Sequence, residues 1–195
     1  NASANTPDVV RLSDVDANHV AALLLRFGLV FTHVPLLQPI PGSFWGDDEA
    51  GLIGDALFAR ADTPLHSILH EACHWITCTP QRRSALHTDA ADTQDEENAT
   101  CYLQILLSDH IPGFGRAHGL KDMDAWGYSF RLGTATLWFE NDAHCERARA
   151  AGAKILKEPA VSDYGEEYWS DRSYECTDLD GHHWWFAQRM RNKVV

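Results

Sequence analysis

One segment, "DTPLHSILHEACHWITC" at residues 62–78, leaves the chain little freedom. Leu65, Ile68, Leu69, Ala72, Cys73 and Ile76 recur at intervals of three and four, the spacing that gathers side chains on one side of a helix. Thr63 suits an N-cap, and Pro64 suits the first helical position, where its missing N–H costs nothing. The same segment carries His70, Glu71 and His74 in the pattern H-E-x-x-H. On a helix, residues four apart lie one above the other, so the two imidazoles can address a single ion. Zinc takes histidine nitrogens at about 2.0–2.1 Å. Glu71, one step round the helix, is placed to hold a metal-bound water and accept its proton. His66 extends the stripe but is expected outside the ligand set, because three successive turns cannot converge on one ion.

Such a site needs a third protein ligand from elsewhere. Glu96 and Glu97 open the next helical segment, "EENATCYLQILLSDHI", which stops before Pro112. If the two helices run antiparallel, a carboxylate from this pair reaches the open side of the histidines. A solvated His/Glu face is the competing reading of the same residues.

The rest of the chain supplies the context. Helical periodicity begins early: Asp16 or Asn18 can cap a helix whose Val20, Leu23, Leu24 and Phe27 form one face, ended by Gly28. "LVFTHV" reads as strand, "PLLQPIPGSFWGDDEAG" as loop and "LIGDALFAR" as a further strand. From about residue 132 the order reads β-α-β-β-β: a strand in "YSFRLGTATLWFE", a short helix in "NDAHCERARAAGA", then strands in "KILKEP", "RSYECTDL" and "HHWWFAQ". Asp180-Gly181 is a hairpin signal between the last two.

Composition narrows the functions. At 45% hydrophobic residues, the 195-residue chain is expected to be globular. A net charge of −12 argues against nucleic acid and anionic membrane surfaces as partners. No stretch approaches the ~18 apolar residues of a membrane span. Five cysteines at irregular spacing read as buried thiols in a reducing cytoplasm rather than a disulfide framework. Cys73 falls on the apolar side of its helix, which argues against a nucleophile there.

Two family resemblances follow from particular residues. "HEACHW" resembles the active helix of zinc metallopeptidases, and "EENAT" is similar to the E-x-x-A-D helix that supplies their glutamate ligand. That likeness implies Glu96 as the ligand with Glu97 as alternate, and puts Thr100 where the family has Asp. "HEACHWITCTPQRR", ending in Arg82 and Arg83, is also similar to the elongation factor P hydroxylase family. There, two histidines and a carboxylate hold a metal for oxygenation of a lysine on a partner protein. Two histidines and a carboxylate serve both Zn²⁺ and Fe²⁺. Residues 142–188 resemble the second half of a glyoxalase/bleomycin-resistance domain, through the A-x-A-A-G-A helix end, the "YG" loop and the "D-x-D-G-H-x-W-x-F" hairpin. That superfamily pairs two such modules in one chain or across a dimer, which implies a possible homodimer. Trp185 stands where its metal-binding members place a glutamate, so no metal is assigned to this half. Trp184, Trp185, Phe186 and Tyr174 are either the lining of an apolar ligand cup or sheet core; His182 and His183 are expected to face solvent.

Together these readings predict an α+β protein. A metal-binding domain at residues 1–130 precedes a βαβββ glyoxalase-like module at 131–195. The expected chemistry is a zinc-dependent hydrolase of metallopeptidase type, with His70, His74 and Glu96 or Glu97 as ligands and Glu71 as base. Its substrate would be a peptide, a protein or a small molecule. An iron hydroxylase acting on a protein and a metal-free ligand-binding module are the alternatives.

Overall fold

The computed structural model describes residues 7–44, 46–87, 93–130, 132–141, 145, 147–148, 152–165, 169–177 and 181–191. The fold is α+β, and the chain divides into two compact units, Asn1–Trp138 and Phe139–Val195.

In the first unit, a 3₁₀ turn at Leu12–Asp14 leads into α1 (Ala17–Leu25), capped by Asp16, whose side chain accepts the Asn18 amide at 2.9 Å. β1 (Val30–His33) pairs in parallel with β3 (Ala56–Ala59), which pairs antiparallel with β2 (Gly51–Ile53), giving the order β1-β3-β2. The segment expected as one strand, "LIGDALFAR", is therefore a hairpin. Gly54, at φ +56°, supplies the left-handed turn that breaks the run.

Against the sheet packs α2 (Leu65–Thr77), the H-E-x-x-H helix. Leu65, Ile68, Leu69, Ala72 and Cys73 are fully buried and join Leu24, Leu52 and Leu57 in the core. Each large side chain buried this way contributes about 1.5–3 kcal/mol. The cap differs by one residue from expectation: Pro64, with extended backbone, is the N-cap, and Thr63 Oγ1 instead accepts the Arg60 amide at 3.0 Å. The start of α2 is fixed from outside, by Leu65 N–H donating to the Val10 carbonyl and by Ser67 Oγ accepting the Ala50 amide.

The stretch after α2 forms a short helix, α3 (Pro80–Arg83). Arg83 reaches back from it, donating to the Trp75 and Ile76 carbonyls and lying 4.2 Å over the Trp75 ring. It thereby satisfies carbonyls that the end of α2 leaves open. α4 (Gln94–Ser108) is capped by Thr93, whose hydroxyl accepts the Glu96 amide. α2 and α4 run antiparallel: Gln104 meets His66 and His70 near the start of α2, and Thr100 meets Thr77 near its end.

A further helix, α5 (Gly115–Trp126), occupies a segment whose glycines gave no helical signal. Gly119 is required there, since a Cβ would lie 2.6 Å from Ser108 Oγ; its bareness lets α5 approach α4 closely. Gly127 ends α5 in the left-handed conformation, and Tyr128 N–H donates to the Met123 carbonyl, a bond that closes the helix end.

The second half of the strand expected in "YSFRLGTATLWFE" is helix, α6 (Ala135–Asn141). β-branched and aromatic content suggested a strand, but capping outweighs it. Thr134 Oγ1 accepts the Leu137 amide, and the Asp124 carboxylate accepts the Ala135 amide, a favourable charge at a helix start. Of "NDAHCERARAAGA", the structure describes Asn141, Cys145, Arg147, Ala148, Gly152 and Ala153; Cys145, Arg147 and Ala148 are helical, and the rest of that expected helix lies outside the described residues.

The second unit then contributes β4 (Lys154–Asp163), β5 (Ser170–Thr177) and β6 (His183–Arg191) as an antiparallel sheet in the order β4-β5-β6. Asp180 of the expected hairpin turn lies outside the described residues. All five cysteines are buried and none is in a disulfide, and burial pushes the Cys73 thiol well above its usual range. No helix among the described residues is long and apolar enough to cross a membrane.

Candidate metal centre

α2 and α4 bring three electron-pair donors to one point. His70 Nε2 and His74 Nε2 stand 3.0 Å apart, Glu97 Oε1 lies 3.3 Å from the first, and Glu97 Oε2 lies 3.5 Å from the second. In a tetrahedral zinc site with ligands at about 2.0–2.1 Å, neighbouring donors are separated by about 3.3–3.4 Å. The observed separations, of which the two to Glu97 are to its different oxygens, lie between 3.0 and 3.5 Å, around that value.

What holds each imidazole decides which nitrogen faces the centre. His70 Nδ1 is 2.7 Å from Gln104 Oε1, and Gln104 Nε2 donates to the His66 carbonyl at 3.4 Å, which fixes the amide's orientation. Nδ1 of His70 therefore carries the proton, and the Nε2 lone pair points at the shared centre. His74 Nδ1 lies 3.4 Å from Thr100 Oγ1. The Thr100 hydroxyl is 3.3 Å from that of Thr77, which in turn donates to the Cys73 carbonyl at 2.8 Å. Donation runs in one direction along this chain, from His74 Nδ1–H through Thr100 and Thr77 to a backbone carbonyl. It leaves Nε2 of His74 as a second lone pair.

Burial first, and then neighbouring His70, pushes the pKa of His74 down to about 3. At ordinary pH the ring is neutral, so no proton there offsets the converging lone pairs. Two lone pairs and a carboxylate facing one another at about 3.3 Å form an arrangement that a cation stabilises. The donor set, its spacing and its tautomers all fit a divalent metal.

The structure separates the two glutamates. Glu97 joins the histidines, while Glu96 Oε1 accepts a 2.6 Å hydrogen bond from Arg82 Nη1 on α3. The resemblance to E-x-x-A-D placed Glu96 at the ligand position. Helical phase accounts for the difference in position: Glu97, Thr100 and Gln104 lie at intervals of three and four on α4 and so share the face turned to α2, whereas Glu96 falls one step round. Thr100, standing where a family Asp was expected, serves His74 through its hydroxyl.

No family model, curated protein or solved structure matches this chain. The site is therefore read from its own geometry.

Glu71 is half-buried on α2. Its charge and that of Glu97 both raise the pKa of the Tyr128 hydroxyl, after the larger effect of burial. Tyr128 also hydrogen-bonds Gln104, and its ring meets His70 edge-on at 5.5 Å. Sequence reasoning missed Tyr128, Gln104 and Thr77. Gln104 and Thr77 were accessible from spacing, since each lies three or four residues from another member of the constellation on its helix. Tyr128 was not, because its position depends on the left-handed turn at Gly127 that ends an unrecognised helix.

His66 is expected from the sequence to lie outside the ligand set. It is 1% exposed, with its ring 5.0 Å from Trp126 and 5.6 Å from Tyr128, and is no part of the donor triad. Burial, then His70 and Arg11, pushes its pKa down to about 3.

Proposed function

We propose that the chain is a metal-dependent hydrolase of the metallopeptidase type, with a zinc site on His70, His74 and Glu97. The observation that carries this reading is the convergence of two Nε2 lone pairs and one carboxylate, each histidine held by its own hydrogen bond on the far nitrogen. A zinc ion held by His70, His74 and Glu97 would supply a Lewis acid able to lower the pKa of water from about 15.7 to about 7 and to polarise a carbonyl. The chain's own groups supply the rest. Glu71, next to His70 on α2, accepts the proton of the attacking water and returns it to the leaving group. Gln104 and Thr100 hold the histidines in the tautomers that bind metal. The substrate is a peptide, a protein or a smaller amide or ester whose carbonyl can approach the space between His70, His74 and Glu71.

Elemental analysis of purified protein and hydrolysis of an unstructured casein substrate test the proposal. Stoichiometric zinc is expected, with turnover lost in Glu71→Gln while zinc is retained. Two histidines and a carboxylate on one face also suit Fe²⁺. Iron in place of zinc, with oxygen consumption and no hydrolysis, would move the reading to a hydroxylase.

A further inference from the structure

A row of aromatic rings adjoins the metal centre and has no part in the chemistry proposed for it. Tyr128 meets His70 edge-on at 5.5 Å. Phe130 stacks beside Tyr128, with centroids 6.4 Å apart and planes 16° from parallel, and Trp138 stacks on Phe130 at 4.6 Å and 19°. Trp138 is buried, whereas Tyr128 and Phe130 each keep part of their surface open. The row therefore runs from the core to the side of His70, with ring surface accessible along it. The aromatic set expected in the second unit forms no such row. In the β5–β6 register Trp185 pairs with Glu175, while Tyr174, Phe186 and Trp184 lie on the other face, so the four are not one surface.

Local chain geometry builds the row. Gly127, in the left-handed conformation, redirects the chain at the end of α5, and Tyr128 and Phe130 follow two residues apart, on the same side. The Phe130 carbonyl accepts the Gly133 amide at 2.9 Å, and the Asp124 carboxylate accepts the Ala135 amide. These bonds start α6 close by and return Trp138 to Phe130. Tyr128 is held by its neighbours: its hydroxyl hydrogen-bonds Gln104, and its ring meets the buried His66 ring edge-on at 5.6 Å. Trp126 also packs on His66, at 5.0 Å, with its indole N–H committed to Glu49 Oε1 at 3.2 Å. Rings fixed in this way lose little freedom when a ligand covers them.

A surface of stacked rings selects by shape, because a further flat ring gains offset or edge-on contacts that a bulky aliphatic group does not. Tyr128 also lies within range of the charges of Glu71 and Glu97. A group resting on Tyr128 and Phe130 thus belongs to the part of a substrate beside the reacting carbonyl. We propose that Tyr128 and Phe130 form the specificity site of the metal centre, and that the preferred substrate carries a flat aromatic side chain beside the carbonyl that is cleaved. The proposal rests on the reading of the site as a metal-dependent hydrolase.

The test is titration of the zinc-loaded full chain with acetohydroxamic, phenylacetohydroxamic and cyclohexylacetohydroxamic acids, which chelate zinc through the same two oxygens. Affinity is read by chemical-shift changes, with zinc content measured beforehand. The phenyl compound should bind about tenfold or more tighter than acetohydroxamic acid, and tighter than the cyclohexyl compound, with shifts at Tyr128 and Phe130. Phe130→Ala should remove most of the phenyl advantage while zinc content stays unchanged. Phe130→Leu, which keeps apolar packing on Trp138, should reduce it. Zinc uptake with equal affinity for the three acids, a cyclohexyl compound as tight as the phenyl one, or a phenyl advantage unchanged in either folded variant would each overturn the proposal and leave the metal centre standing. A chain that takes up no zinc would overturn the metal reading and this one with it.

Discussion

His70–Glu97 in the first unit and His183–Glu175 in the second are the same two side-chain types at similar separations, 3.3 Å and 3.0 Å. Their surroundings differ in every respect that matters for chemistry. His183 lies at the start of β6 with 57% of its side chain exposed, and its pair with Glu175 gains little against water. His70 and His74 sit between two helices, each with Nδ1 directed to a partner that fixes the tautomer. A histidine and a glutamate in contact are therefore weak evidence of a site. Neighbours that remove the alternatives are strong evidence.

The largest expected effect tests that contrast directly. Glu97→Ala should abolish stoichiometric zinc binding, because it removes one of three protein donors. Glu96→Ala should leave zinc in place, although it removes the ion pair with Arg82. Inductively coupled plasma analysis of both variants after dialysis separates them. Equal zinc loss in the two would mean that the phase of α4 is not what selects the ligand.

Next in size is the response to acid. Folded His66 has a pKa near 3 against an ordinary value of 6.5, so below pH 6.5 the unfolded chain binds a proton that the folded chain refuses. Its contribution to stability is complete above pH 6.5 and is lost progressively as pH falls toward 3, by about a few kcal/mol in all. Between pH 7 and pH 4, the urea midpoint of His66→Phe should fall less than that of the native chain. Parallel declines would show that the ring is protonated within the fold or that other groups dominate.

A smaller effect concerns the hydrogen bonds behind the ligands. Gln104→Leu keeps the helix and approximate volume but removes the acceptor at His70 Nδ1. Metal affinity should drop about 10–100-fold, measured by competition with a chelator, while zinc still binds in excess metal. No change in affinity would place the tautomer of His70 under some other control.

These expectations show how far the sequence was legible. α2 could be read because its apolar spacing, its Pro64 start and its paired histidines all agree, and the structure buries that face in the core. Helix phase also bears on the choice between Glu96 and Glu97, since it is Glu97 that shares the face of Thr100 and Gln104 turned to α2, whereas the borrowed motif pointed to Glu96. α5 was hidden because Gly115 and Gly119 lower helix propensity, and the reason for Gly119 is the close approach of α4. α6 was misread because the content of "TATLWFE" favours strand, whereas the deciding contacts come from Thr134 and from Asp124, a residue eleven positions away. Local patterns foretold local structure; capping from a distance and backbone proximity did not announce themselves.

The smallest expected effect closes the comparison from its other side. His183→Ala removes a histidine that touches a glutamate, as His70 does, yet it should change neither zinc content nor stability by more than about 0.5 kcal/mol. Three features support this. The ring is mostly in water, the Glu175 carboxylate also lies within 3.9 Å of Lys157 Nζ, and the donor groups that could hold a metal among the described residues are His70, His74 and Glu97. Chelator competition and urea unfolding on this variant measure both quantities. If losing His183 lowers zinc stoichiometry, the exposed pair is a second ligand set, and burial with oriented partners is no longer what distinguishes the two.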